Sequence, residues 1–325
     1  MSQKLLKLVV LALATATLAP AAYAQSESAS ESSSKAKIED VDGQKNKAPG
    51  EDVDETLTNK QMRAQSGSKS KWSIASQLSY YGGSVEKPMD SDRPNIGGAA
   101  GTTDVSQLNG QLSGKYAFDQ RHSLLAGFGF RYISPFQGNQ LPRKEVYDGN
   151  KVDAENPYIT WQYIYKAGGI QNVLQVTGTY YTNSNLVSGQ KYVGGLGLSH
   201  TSVYEVGTTG LSLGLYASIQ GNSFETYLSG PKKSQNDYSF GIDPYLEYTI
   251  NDMLNLRTVF NLWNYDHYRQ VASATTFDHN NLIQSFGVGI SVTRDIFLYP
   301  NLQFVLDDIR ADRTNVAISS YINLF

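Results

Sequence analysis

Three shortages narrow the choices before any pattern is considered. There is no cysteine among the 325 residues. That excludes an acylated lipoprotein N-terminus, disulfides and every thiolate metal site. Beyond the first 24 residues, no apolar run approaches the ~18 needed for a membrane helix. Basic charge is also short. The net charge is −3, and losing Lys4 and Lys7 with the leader takes it to −5, which argues against nucleic acid as a partner. Chemistry-bearing groups are sparse too. The 4 histidines, His122, His200, His267 and His279, stand at no fixed spacing from a nucleophile with oxyanion donors. Asp266-His267 has the best placement among them, and an exposed loop histidine is the plainer meaning. Asp307-Asp308 with Asp312, and Asp90 with Asp92, lack the spacing of a Ca²⁺ loop. No catalytic residue, metal or cofactor is assigned.

What is present divides into three parts. Residues 1–24 read as a cleaved secretory signal, with Lys4 and Lys7, an apolar core Leu8–Leu18 and an Ala22-Tyr23-Ala24 cleavage site. Residues 25–70 are rich in Ser, Glu, Lys and Asp. They bury too little apolar surface to offset chain entropy, which predicts a disordered extension with at most a short helix around 52–64. From Lys71 to Phe325 the chain alternates apolar and polar residues with period 2, the mark of strands.

About twelve such strands can be counted. The second, Val105–Phe118, sets Leu108, Leu112, Tyr116 and Phe118 against Gln107, Asn109, Gln111 and Lys115. The third carries Leu124, Ala126, Phe128, Phe130 and Tyr132 in phase. Connections alternate in length, with Asp119–His122 and Asn251-Asp252-Met253 short and Gly82–Asp104 and Gly221–Asn236 long. The last segment, Asn315–Phe325, sets Val316, Ile318, Ile322 and Leu324 on one parity, with Tyr321 and Phe325 on the other. The 22 tyrosines suit aromatic girdles at two interfaces.

These features resemble a Gram-negative outer-membrane protein of porin type. The resemblance implies an all-β fold, a transmembrane antiparallel up-and-down barrel of about twelve strands over 71–325, with both termini in the periplasm. It implies outer-membrane lipid and lipopolysaccharide as surroundings, and a C-terminal signal for the barrel assembly machinery in Tyr321, Leu324 and Phe325. Leu324, not the terminal Phe, holds the lipid-facing parity here.

The inward parity is polar, as a membrane barrel requires. Lys115, Arg131, Lys166, Asp243, Tyr245, Glu247, Arg257 and Trp263 are the candidates for lining a solute path. Inward glycines leave space that bulky neighbours such as Tyr245 could fill; they relieve crowding where strands coil, or they form an off-centre pore or a groove for the N-terminal segment. Counting about Asp252 pairs Thr249 with Asn255, Glu247 with Arg257 and Asp243 with Asn261. The leading function is passive diffusion of small hydrophilic solutes. A closed barrel acting through its outer loops, and a lipid-modifying hydrolase, are the alternatives. Fold alone names no solute and no oligomeric state.

Overall fold

The computed structural model describes residues 53–98, 101–138, 150–183, 185–228, 235–271 and 273–324. The signal, the extension up to residue 52 and Phe325 lie outside the described residues. Twelve antiparallel strands form the barrel. They are β1 (Trp72–Ser84), β2 (Gln107–Ala117), β3 (His122–Ile133), β4 (Val152–Ala167), β5 (Ile170–Tyr180) and β6 (Tyr192–Glu205). Then follow β7 (Leu211–Phe224), β8 (Asn236–Thr249), β9 in two segments (Leu254–Asn261 and Trp263–Tyr268), β10 (Ile283–Ser291), β11 (Ile296–Val305) and β12 (Asn315–Leu324). Each pairs with its neighbours in sequence, and β12 returns to β1, with Ile74 opposite Leu324 and Tyr80 opposite Ile318. Closure pairs the last strand with the first, as a lipid environment demands of a spanning sheet.

Period 2 decides which way side chains point. Leu112, Phe128, Ile159, Leu196, Leu213, Leu246, Phe286, Leu302 and Ile318 all lie exposed on the outer wall. Their partners in parity face the bore: Ser113, Thr160 and Gln162 are buried there. An apolar outside on a polar inside inverts a soluble protein and suits lipid. Among the described residues no helix is long and apolar enough to span a membrane, so the strands do the crossing.

Aromatic rings gather on the outer wall in two zones. Towards the short turns, His122, Tyr163 and Tyr165 stack in series, with centroids 4.7 and 5.2 Å apart. Trp72 meets Tyr116 at 4.6 Å nearby. Towards the long loops, Phe240 stacks on Tyr265 at 5.0 Å. The first long loop carries a small hairpin, Asp92–Pro94 with Thr103–Val105. Asn281 anchors the tip of that loop by donating to the Ile96 and Gly98 carbonyls, both at 3.0 Å.

Two irregularities correct the sequence reading. β4 begins at Val152, inside the stretch Ile133–Asn156 that the sequence reads as a long loop, because a bulge at Asn156-Pro157 lets the strand continue with inverted parity. Asn156 takes φ 47° there. A second break at Leu262 shifts β9 by one position. Val259 faces Tyr245 across the pair, whereas Trp263 faces Ile242. Trp263 therefore sits on the outer wall with Ile242, and Asn264 takes the inward position. Trp263 is not a lumenal residue.

The plugged lumen

Residues 53–70 fall in the part of the chain expected to be a disordered extension, yet they fold inside the barrel. Helix α1 (Val53–Thr56) and helix α2 (Lys60–Ser66) are separated by Leu57, Thr58 and Asn59. Asn59 caps α2, its side chain accepting from the Met62 N–H at 3.1 Å. Gly67 ends the helix at φ 87°, a conformation that favours glycine, and its N–H donates to the Ala64 carbonyl.

The segment seats at the short-turn end of the bore through an apolar cluster. Leu57 and Met62, both 0% exposed, pack against Ile164, Val173, Val203 and Tyr245. Ala64 packs against Phe297 and Tyr299. Full burial of a Leu or Met side chain contributes about 1.5–3 kcal/mol, so these two alone form a substantial anchor.

Polar contacts fix the orientation. The Gln171 side-chain oxygen accepts from the Thr58 and Asn59 amides at 2.8 and 2.9 Å, and Glu205 accepts from the Thr58 hydroxyl at 2.7 Å. Asn59 donates to Glu247 at 2.5 Å. Arg257 donates to both Gln61 and Glu247, with its guanidinium 4.1 Å from the Tyr245 ring centre. Lys115 donates to the carbonyls of Ser66 and Ser68, at 2.7 and 3.0 Å. Asn323 reaches the Ala64 carbonyl at 2.7 Å. At the rim, Arg294 bonds Asp54 at 2.9 Å, and Lys60 donates to the Asn251 carbonyl at 2.7 Å. Burial lowers the Lys60 pKa, with Asp252 opposing the shift. These partners come from strands around the whole circumference, so the segment spans the bore.

Above it lies a cavity of about 1000 Å³. Gln61, Ala64 and Gln65 of α2 line one end, and the walls reach Tyr81, Gln107, Tyr181 and Gln220 near the long-loop ends of their strands. Gly214 makes room for one wall residue: a Cβ there would lie 2.0 Å from the Tyr245 ring. At Gly287 the reason is strand crowding, since a Cβ would lie 2.1 Å from the Pro300 carbonyl.

The structure distributes the candidate lining residues over several environments. Arg131, Asp243, Tyr245 and Arg257 line the cavity. Arg131 pairs with Glu155 at 2.7 Å, and Asp243 accepts from Asn264 at 2.7 Å. Glu247 lies opposite Arg257 in the register, and Thr249 opposite Asn255, as counted. Glu247 and Lys115 are buried against the plug, at 2% and 5% exposure. Lys166 is exposed beside the short turn before β5. Tyr321 faces the bore and lines the cavity, Leu324 is exposed on the outer wall, and Phe325 lies outside the described residues. The plug was expected only as one alternative, a groove for the N-terminal segment, beside the disordered extension. A further signal was present: Ile164, Val173, Val203 and Phe297 are apolar on an inward parity that is mostly polar.

The histidines serve packing. His267, buried at the long-loop end, stacks on Tyr238 at 4.4 Å, and one ring nitrogen lies 3.4 Å from Asp237. His200 is on the outer wall, 3.1 Å from the Tyr165 hydroxyl. Among the described residues no group of three or more acidic or histidine side chains could hold a metal ion.

Fold and lumen together define a transmembrane β-barrel of outer-membrane, porin-like architecture. No protein-family model matches the chain, and no curated protein matches it in sequence. Among solved structures it is similar to an outer-membrane channel from Pseudomonas putida F1, at 12% identity and TM-score 0.46 over 79% of this chain and 96% of that one. It is also similar to the NanC porin, at 11% identity and TM-score 0.41 over 77% and 96%. A third is the translocator domain of the autotransporter NalP from Neisseria meningitidis, at 10% identity and TM-score 0.38 over 82% and 94%. Such distant likenesses carry no functional argument, and the strand register itself defines the fold.

Proposed function

We propose that the protein is an outer-membrane channel for small hydrophilic solutes, closed at its short-turn end by residues 53–70. One observation carries this reading: a polar cavity of about 1000 Å³ runs along the bore and ends on α2. A barrel built only as a scaffold fills its bore with strand side chains. Here the filling is supplied by a separate stretch of chain, which can leave without breaking a strand pair.

We take the sides in the orientation usual for outer-membrane barrels. The short turns and the plug face the periplasm, the long loops face outward among lipopolysaccharide, and the barrel assembly machinery reads the β12 end. Secretion proceeds through removal of residues 1–24.

The second reading, a closed barrel working through its outer loops, is favoured by the number of buried contacts that hold the plug. Osmotic swelling of proteoliposomes separates the two. The channel reading predicts that removing residues 53–66 admits a pentose such as arabinose. Liposomes that stay tight with folded, plug-free barrel would favour the closed one.

A further inference from the structure

The cavity wall has an unusual chemical balance. Its lining includes eleven Asn and Gln, ten Ser and Thr and six Tyr, against four charged residues. Those four are Arg131, Glu155, Asp243 and Arg257, whose charges sum to zero. Each is already engaged by protein. Arg131 holds Glu155 at 2.7 Å and Asp153 at 3.6 Å, Arg257 holds Glu247, and Asp243 takes the Asn264 amide. Asp243 has only that neutral amide, whereas both arginines are ion-paired, so an anionic solute entering here would lose hydration with no spare positive charge to meet it, which is costly.

Neutral hydroxyls meet the opposite situation. Thr160 and Thr177 share a hydrogen bond of 2.8 Å in which either can donate. The Tyr181 hydroxyl accepts from Gln220 and donates to Asn222, both at 2.7 Å. Groups that donate and accept with equal ease can turn to suit a solute hydroxyl. The tyrosines Tyr81, Tyr158, Tyr181, Tyr216, Tyr245 and Tyr321 add flat apolar faces with polar tips, suited to the alternating C–H and O–H surfaces of a sugar ring. The volume lies at the upper end for small-molecule sites, room for an oligosaccharide.

We infer that this cavity is a recognition site for neutral polyhydroxylated solutes, the saccharide class, and discriminates against anionic ones of equal size. The inference rests on the channel reading and names its solute class.

The test is ligand-observed saturation-transfer NMR on the purified full chain in detergent, with raffinose, glucose, glucosamine and glucuronate as probes. Raffinose and glucose should show saturable transfer, and glucuronate should bind at least about tenfold more weakly than glucose and more weakly than glucosamine, which Asp243 can meet. Gln111 is exposed in the cavity wall, and Gln111→Glu adds one negative charge. In that variant glucuronate should weaken relative to glucose by a further factor of about tenfold. The inference is overturned if glucuronate binds as well as glucose to the native chain. It is equally overturned if no neutral sugar shows saturable transfer to folded protein, or if Gln111→Glu leaves the ratio of glucuronate to glucose binding unchanged. None of these outcomes touches the channel reading, which ion conductance through the plug-free barrel tests separately.

Discussion

The anchor of the plug can be weakened without touching the barrel wall. Leu57 and Met62 are 0% exposed, and each contributes its side chain to the cluster with Ile164, Val173 and Val203. Truncating a fully buried Leu or Met to Ala costs about 2–5 kcal/mol, the lost transfer energy plus the cavity left behind. The two residues share partners, so the double variant should fall short of the sum. That cost falls on the seating of 53–70, because strand pairing does not involve it. Trypsin reads the seating directly, since Lys60 and Arg63 lie within α2. Cleavage through a transiently open state follows the open population when reclosing is fast. A loss of 2–5 kcal/mol then corresponds to faster cleavage by about thirtyfold to several thousandfold, up to the rate of the free segment. Heat-modifiable migration of the barrel should persist. Cleavage within twofold of the native rate in folded Leu57→Ala protein would refute the reasoning.

Further outcomes follow from the same geometry. Arg257→Ala leaves Glu247 at 2% exposure with Asn59 as its remaining hydrogen-bond partner, so plug seating should lose about 3–5 kcal/mol by the same trypsin assay. In conducting channels it should also move reversal potentials in a KCl gradient towards cations, because Asp243 and Glu247 become unbalanced. Pairing it with Glu247→Gln should restore much of the seating, and no restoration would place the damage elsewhere. Leu112→Arg puts a charge on the lipid face, where the midplane cost is about 2–4 kcal/mol, so urea unfolding from lipid should shift to lower concentration. The adjacent Gln111→Arg points into the cavity and should unfold like the native protein. Deleting Phe325 should lower the folded yield in outer-membrane fractions while export of the precursor continues.

The barrel was legible because lipid imposes a rule that repeats on every strand. Leu112 and Gln111, adjacent in sequence, meet opposite solvents, and β1 to β12 repeat that contrast. The register of β8 and β9 could be counted because Asn251-Asp252-Met253 leaves little slack in the turn, which fixed Glu247 opposite Arg257. Trp263 was lost to a single inserted residue. Leu262 carries neither glycine nor proline to mark the break, and one extra position inverts every side chain after it. The plug was barely legible for a different reason. Asn59, Lys60 and Gln61 read as a solvated linker because partners of theirs lie more than a hundred residues away, at Gln171, Glu247, Asn251 and Arg257. A segment with two buried apolar anchors has no periodicity of its own. Its imprint is on the wall, in Ile164, Val173, Val203 and Phe297.

Single-channel conductance in planar bilayers tests the central claim most directly. The chain with residues 53–66 intact should show a low, flickering conductance or none, and the chain without them should open steadily at a level at least about tenfold higher. Equal conductance with and without the segment would show that the plug does not stand in the path, and would contradict the account.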